Sequence, residues 1–215
     1  MRADEVARYL QDNPGFFNEH AEMLAHVCIP HPHGGRAISI TERQILTLRE
    51  RAKSLEAKLA ELIRFGEEND AIGEKVHRLA LALLSAPDLT AVLREIRGHL
   101  REDFAVPHVA LRVWGGAVGH QGDAFAPVAE AERLLVADLP RARCGPVAGN
   151  PAAAWFGEDV QVRSMALVPI RRERQTIGAL VLGSEETDRF YPEMGTLFLN
   201  RIGELVATAL VRELG

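Results

Sequence analysis

Two sets of residues in this chain have types and spacing that could do chemistry. The first is His26, Cys28, His31 and His33, one thiol and three imidazoles, around the run Cys28-Ile-Pro-His-Pro-His-Gly-Gly35. Zinc accepts such donors, but structural sites usually take paired cysteines or histidines from well-separated turns. No second cluster completes the set, and two prolines stiffen the segment. It reads as a turn-rich linker, with metal binding as the alternative. The second set is Arg112 and Trp114 on one strand face, with Trp155, Phe156 and Ser164 in or beside a glycine- and proline-rich segment. An arginine can fix an anionic group, and indoles can stack on a flat ring. The competing use is structural, with the aromatics in a core and the arginine satisfied at the surface.

Catalysis finds less support. Reduction of a sulfoxide needs a nucleophilic thiol and a second thiol to resolve the intermediate. Cys144 is the only cysteine in the C-terminal half, and Cys28 is far from it in sequence. Ser164 lacks a glycine-framed turn, and no glycine-rich phosphate loop, nucleophile elbow or paired metal motif is present. The chain reads as a non-enzyme, and nothing in it specifies a cofactor.

The second set needs a sheet to hold it. Asp88 caps a helix in which Leu89, Val92, Leu93, Ile96, Leu100 and Phe104 recur at helical spacing, with Pro107 beyond its end. The period then changes to two. His108 to Trp114 alternates as a strand, with Val109, Leu111 and Val113 on one face and Ala110, Arg112 and Trp114 on the other. Gly115-Gly116 turns it, Ala129 to Leu139 reads as a helix, and Pro140 to Asp159 carries too much glycine and proline for much regular structure. Ser164 to Ile170 and Thr176 to Gly183 form a hairpin whose charged tip, 171–175, is a solvated turn. A closing helix from Tyr191 or Pro192 to about Glu213 offers Met194, Leu197, Phe198, Ile202, Leu205, Val206 and Leu210 to the sheet.

Ahead of this domain runs a helical pattern from Thr41 to about Leu84 without a proline. Ile45, Leu48, Ala52, Leu55, Leu59 and Leu62 step by three and four in alternation, the seam of a coiled coil. Phe65 follows after three rather than four, a stammer that locally overwinds the coil. Alternation then resumes through Asn69, Ile72, Val76, Leu79 and Leu83. A continuous helix would be roughly 65 Å long at about 1.5 Å per residue. That length calls for a partner, most simply a second copy in a parallel dimer. Two capping patterns, Ser39 with Glu42 and Thr41 with Gln44, could start it. Gly66 and Gly73 weaken its middle, and Asn69 at the seam either fixes register or marks a hinge. The charges on the other faces alternate in sign, as on a solvated coil. Ala86-Pro87 closes it.

The first 40 residues read as a helical hairpin and linker. Ala3 to Gln11 is a short amphipathic helix ended by Asn13-Pro14-Gly15, and a second helix carries Phe16, Phe17, Met23, Leu24 and Val27. The stripe should close on the first helix or the coil, or else dock another protein. The segments are therefore 1–40, 41–86 and 87–215. At 215 residues and a net charge of −5, the chain can bury one ordinary domain and does not suit a general nucleic-acid binder. No signal-peptide-like or membrane-spanning run appears, and two distant cysteines fit a reducing compartment, so the cytoplasm is expected.

Helix, strand, irregular segment, hairpin and closing helix resemble a GAF domain, most specifically in Ser164-Met-Ala-Leu-Val-Pro-Ile170, Ile177-Gly-Ala-Leu-Val-Leu-Gly183 and the helix after them. Over almost its whole length the chain also resembles the bacterial GAF-like family DUF484. The matching runs are Tyr9-Leu10 through Pro14-Gly15-Phe16-Phe17, Gly35 to Gln44 with Leu48-Arg-Glu-Arg51, Cys144-Gly145, and Leu182 to Phe190 with Met194-Gly-Thr196. The resemblance implies an α+β fold: an antiparallel sheet with flanking helices and a small-molecule pocket. It carries no established activity. There is no Asn-Lys-x-Phe signature of cyclic-nucleotide-binding GAF domains, and Cys144 lacks the context of bilin attachment. Three functions follow as expectations: a dimeric sensor that binds an unidentified small molecule and signals through a partner protein, an interaction scaffold with a vestigial pocket, or, remotely, a reductase of free methionine sulfoxide.

Overall fold

A computed structural model describes residues 2–26, 28–29, 38–116, 119–157 and 159–215. His31 and His33 lie outside the described residues, and so does the choice between linker and metal site. The chain divides into two units, Met1–Glu67 and Glu68–Gly215.

In the first unit, α1 (Ala3–Asp12) is followed by two short helices, α2 (Phe16–Glu19) and α3 (Ala21–His26), where one was expected. The break falls at His20, whose ring packs 4.6 Å from that of Phe16. Phe16 also meets Tyr9 edge-on at 6.4 Å, so aromatic contacts join α1 to α2. A two-stranded ladder, β1 (Cys28–Ile29) with β2 (Ile38–Ser39), stands at the edges of the expected linker. The long helix α4 runs from Ile40 to Ser85, 46 residues, directly after Ser39. Its seam positions in this unit are open: Leu48 is 61% exposed, Leu55 66%, Leu59 58% and Leu62 66%.

The second unit is built on a four-stranded antiparallel sheet in the order β3-β6-β5-β4. These strands are β3 (His108–Val113), β4 (Arg143–Pro146), β5 (Ser164–Arg172) and β6 (Gln175–Ser184). Two helices, α5 (Leu89–Glu102) and α7 (Leu197–Leu214), cover one face and bury Val92, Ile96, Leu100, Ile202, Val206 and Leu210 against Leu111, Val168, Leu180 and Leu182. The last turns of α4 join this core. Leu79 and Leu83 are 0% and 3% exposed, with Val76 packed beside them. This corrects the expectation that the seam serves a partner helix to its end, because these positions are filled from within the chain. Arg212 secures the same place by donating to the carbonyls of Ala86 (2.9 Å) and Leu84 (3.4 Å). The other face is covered by α6 (Glu130–Ala137) and a 3-10 turn over Pro151–Phe156, around Ala110, Met165, Leu167, Ala179 and Val181.

Three local expectations need correction. The segment 140–159 holds the edge strand β4 and the 3-10 turn despite its glycines and prolines. Pro146 is tolerated because an edge strand's outer side needs no donor. The closing helix starts at Leu197, five or six residues late, because Gly195 disfavours helix and Met194 N–H donates to Tyr191 O in a turn (3.0 Å). The hairpin tip narrows to Glu173-Arg174, with Arg171 and Arg172 still paired to Thr176 and Gln175. Arg171 donates to the carbonyls of Ala137, Leu139 and Pro140, and so caps the end of α6 rather than facing only water.

Candidate functional site

Alternation along β3 puts Arg112 on the face that carries Ala110, away from the α5–α7 layer. Its side chain is nine-tenths buried, with 10% exposed. Such burial demands partners. Arg112 Nη1 lies 2.9 Å from Asp123 Oδ1 and donates to Leu111 O at 3.1 Å, and the guanidinium lies 5.7 Å from the centre of the Trp155 ring.

Asp123 opens a 3-10 turn, Asp123–Phe125. Gly122 precedes it at φ +111, a conformation side-chain-bearing residues rarely adopt, and this lets the turn swing back to β3. The second carboxylate oxygen of Asp123 accepts from Arg97 Nη2 of α5 at 3.0 Å. One carboxylate therefore bridges two guanidiniums from two different elements, while its own side chain remains 60% exposed.

A cavity of about 490 Å³ opens beside this bridge. Arg97, Arg101, His108, Arg112 and Asp123 line it, with Trp155 and Phe156 as its aromatic wall. Phe156 is seated by close approach to the β6 backbone: a Cβ on Gly183 would stand 2.8 Å from its ring. The His108 ring meets Phe156 edge-on at 6.1 Å, and its Nε2 lies 3.4 Å from Glu185 Oε1. A neighbouring groove of about 530 Å³ shares Arg97, Arg101 and Asp123 and adds Arg94, so the positive lining continues along α5.

Of the five expected pocket residues, three meet here: Arg112, Trp155 and Phe156. Trp114 is on the same sheet face but outside this lining. Its indole N–H donates to Thr176 O at 3.0 Å, and Arg133 lies over its ring at 5.9 Å. Ser164 falls on the opposite register of β5 and is fully buried. Its hydroxyl donates to Glu186 O at 2.6 Å and accepts from Phe190 N–H at 3.3 Å, which ties down the chain after β6. Sequence reasoning missed Arg97, Arg101, His108 and Asp123. The first two recur four apart on α5, a helical-face signal that was legible; Asp123 sits in a loop without periodicity.

Cys144 lines a separate concavity of about 360 Å³ near β4. Its side chain is buried, and burial pushes the thiol up to about 11. Among the described residues, no group of three or more His, Cys, Asp or Glu side chains could hold a metal ion, and no helix is long and apolar enough to cross a membrane.

Solved structures to which this chain is similar include free methionine-R-sulfoxide reductase from Neisseria meningitidis, in complex with its substrate. The match is 17% identical, covers 66% of this chain and 89% of that one, and has a TM-score of 0.47. The chromophore-binding domain of an unusual bacteriophytochrome from R. palustris matches at 13% identity over 66% of this chain and 60% of that one, with a TM-score of 0.41. The GAF domain of a protein described as a sensor histidine kinase from Pseudomonas syringae pv. tomato matches at 19% identity over 69% and 91%, with a TM-score of 0.43. Among curated proteins, none matches. The profile of the family described as "Protein of unknown function, DUF484" matches residues 1–213, and the chain belongs to that family.

Proposed function

We propose that this chain is a non-catalytic regulatory protein that binds a small molecule in its GAF-like domain, assembles as a homodimer through α4, and passes the bound state to a partner protein in the cytoplasm. The observation that carries the proposal is the cavity at Arg112, where cationic groups from α5 and β3 meet an aromatic wall. Ligand sites usually pair an apolar lining with a few placed polar groups; this lining is more polar than that, with five ionisable side chains beside Trp155 and Phe156, and suits a charged ligand. The dimer is supported by the apolar stripe from Ile45 to Phe65, open in the single chain. A single strand of a coiled coil leaves such a stripe in water.

Cys144 weighs against the thiol-dependent reductase in particular. A buried thiol held protonated is a poor nucleophile, since the thiolate is the reactive form. A scaffold role is favoured by a separate observation: Tyr9 and Met23 of the first unit are 56% and 46% exposed, which leaves apolar surface for a protein partner.

Native mass spectrometry of protein purified gently from its own cells, with a denatured sample beside it, tests the proposal. A dimer carrying a reproducible added mass is expected. A dimer without added mass, together with no binding from the cell's small-molecule extract, would overturn the sensor in favour of the scaffold.

A further inference from the structure

The cavity at Arg112 also indicates the chemistry of its ligand. We infer that it receives a phosphate-bearing small molecule, and that Asp123 holds the phosphate position until the ligand displaces it. The inference rests on the small-molecule reading above and deepens it.

Three guanidiniums, Arg97, Arg101 and Arg112, line the cavity against one lining carboxylate among the described residues, that of Asp123. Asp123 spends one oxygen on Arg112 at 2.9 Å and the other on Arg97 at 3.0 Å. A monoanion leaves this group net positive, and Arg101 has no anionic partner among the described residues. A phosphate monoester offers the same two-oxygen bridge, a third oxygen for Arg101, and up to two negative charges. Arginine forks suit that geometry. Trp155 and Phe156 add a surface for a flat ring on the ligand.

Displacement is feasible because the two sides of the bridge differ. Arg112 is nine-tenths buried and must keep an anion, whereas Asp123 is 60% exposed and loses little by returning to water. Its departure would release the turn after Gly122, so ligand binding has a built-in mechanical consequence at 122–126.

Calorimetry on the full chain with AMP, adenosine and inorganic phosphate tests this. AMP should bind at least about tenfold more tightly than adenosine, the scale of one charge-assisted hydrogen bond. Asp123→Asn should tighten AMP and phosphate by about tenfold, since it removes the competing anion. Arg97→Gln should weaken both by a similar factor with an unchanged thermal melt. Amide NMR shifts at 122–126 on adding AMP to wild type should follow the direction of those produced by Asp123→Asn alone.

Adenosine binding as tightly as AMP, or weaker AMP binding by Asp123→Asn, would overturn the inference. So would no binding of AMP or phosphate by either protein at millimolar concentration. In each of those cases, an added mass on the native dimer would leave the sensor reading standing.

Discussion

The same spacing of apolar residues has two outcomes along α4. From Ile45 to Phe65 the stripe is open, with Leu55 and Leu62 each 66% exposed. By Leu79 the stripe is closed, at 0% exposure, inside the core formed with α5, α7 and the sheet. The residue types are alike, so hydrophobicity does not distinguish the two stretches. What differs is the chain available nearby. A heptad pattern specifies which side of a helix must be covered, and leaves open whether the cover comes from the same chain or another.

The largest test of this contrast is to charge the open stretch. Leu55→Lys with Leu59→Lys would place four ammonium groups in a dimer's seam, each costing several kcal/mol to desolvate. Analytical ultracentrifugation should then report a monomer, while the thermal transition of the second unit stays in place. A double variant that remains dimeric would show that these positions do not form the seam.

Next in size is Leu79→Ala. Deleting a buried leucine side chain costs about 2–5 kcal/mol, depending on how far the site collapses. Chemical denaturation should show that loss in the second unit, without a change of oligomeric state attributable to Leu55 or Leu59. If Leu79→Ala dissociated the dimer and left the domain's stability untouched, the two stretches would share one role and the contrast would fail.

How much of this was legible before the structure depends on the kind of signal. The helices α5 and α7 were readable because burial repeats with the helical backbone, whereas β5 and β6 were readable as apolar runs bounded by a charged turn, buried on both faces. The edge strand β4 was hidden, since only Cys144 of its four residues is buried and Pro146 resembles loop chemistry. Within the site, Arg112, Trp155 and Phe156 could be nominated by residue type. Ser164 could not be separated from them, because a buried hydroxyl that ties down a loop and one that meets a ligand look identical in sequence. Asp123 was invisible for a different reason. Its role depends on a turn at Gly122 that brings together residues 97, 112 and 123, and no local pattern encodes that meeting.

A smaller effect is expected at the end of α4. Arg212→Gln removes donors to the carbonyls of Leu84 and Ala86, and a typical hydrogen bond contributes about 0.5–1.5 kcal/mol net. Part of that is recovered by water, because the Arg212 side chain is 40% exposed. Hydrogen exchange at the last turn of α4 should accelerate, with little change at Leu48 to Leu62. Faster exchange along the entire helix would mean that both stretches respond as one.

The smallest effect depends on pH. Asp103 accepts from His99 Nδ1 at 2.6 Å and pairs with Arg78 of α4 at 3.1 Å. The hydrogen bond from His99 chiefly lowers its pKa; burial opposes the shift, and Arg78 adds to it. A carboxylate whose folded pKa lies below its unfolded value stabilises the fold at pH above the unfolded value, about 3.9. That contribution is lost as pH falls through the lowered folded value. Solvent screening keeps it below about 1 kcal/mol. Urea titrations of wild type and Asp103→Asn should therefore differ at pH 5 and converge near pH 2. A gap that persisted at the acid end would mean that Asp103 supports α4 through shape rather than charge. The closed stretch would then owe its place to packing alone, with the ion pair merely accompanying it.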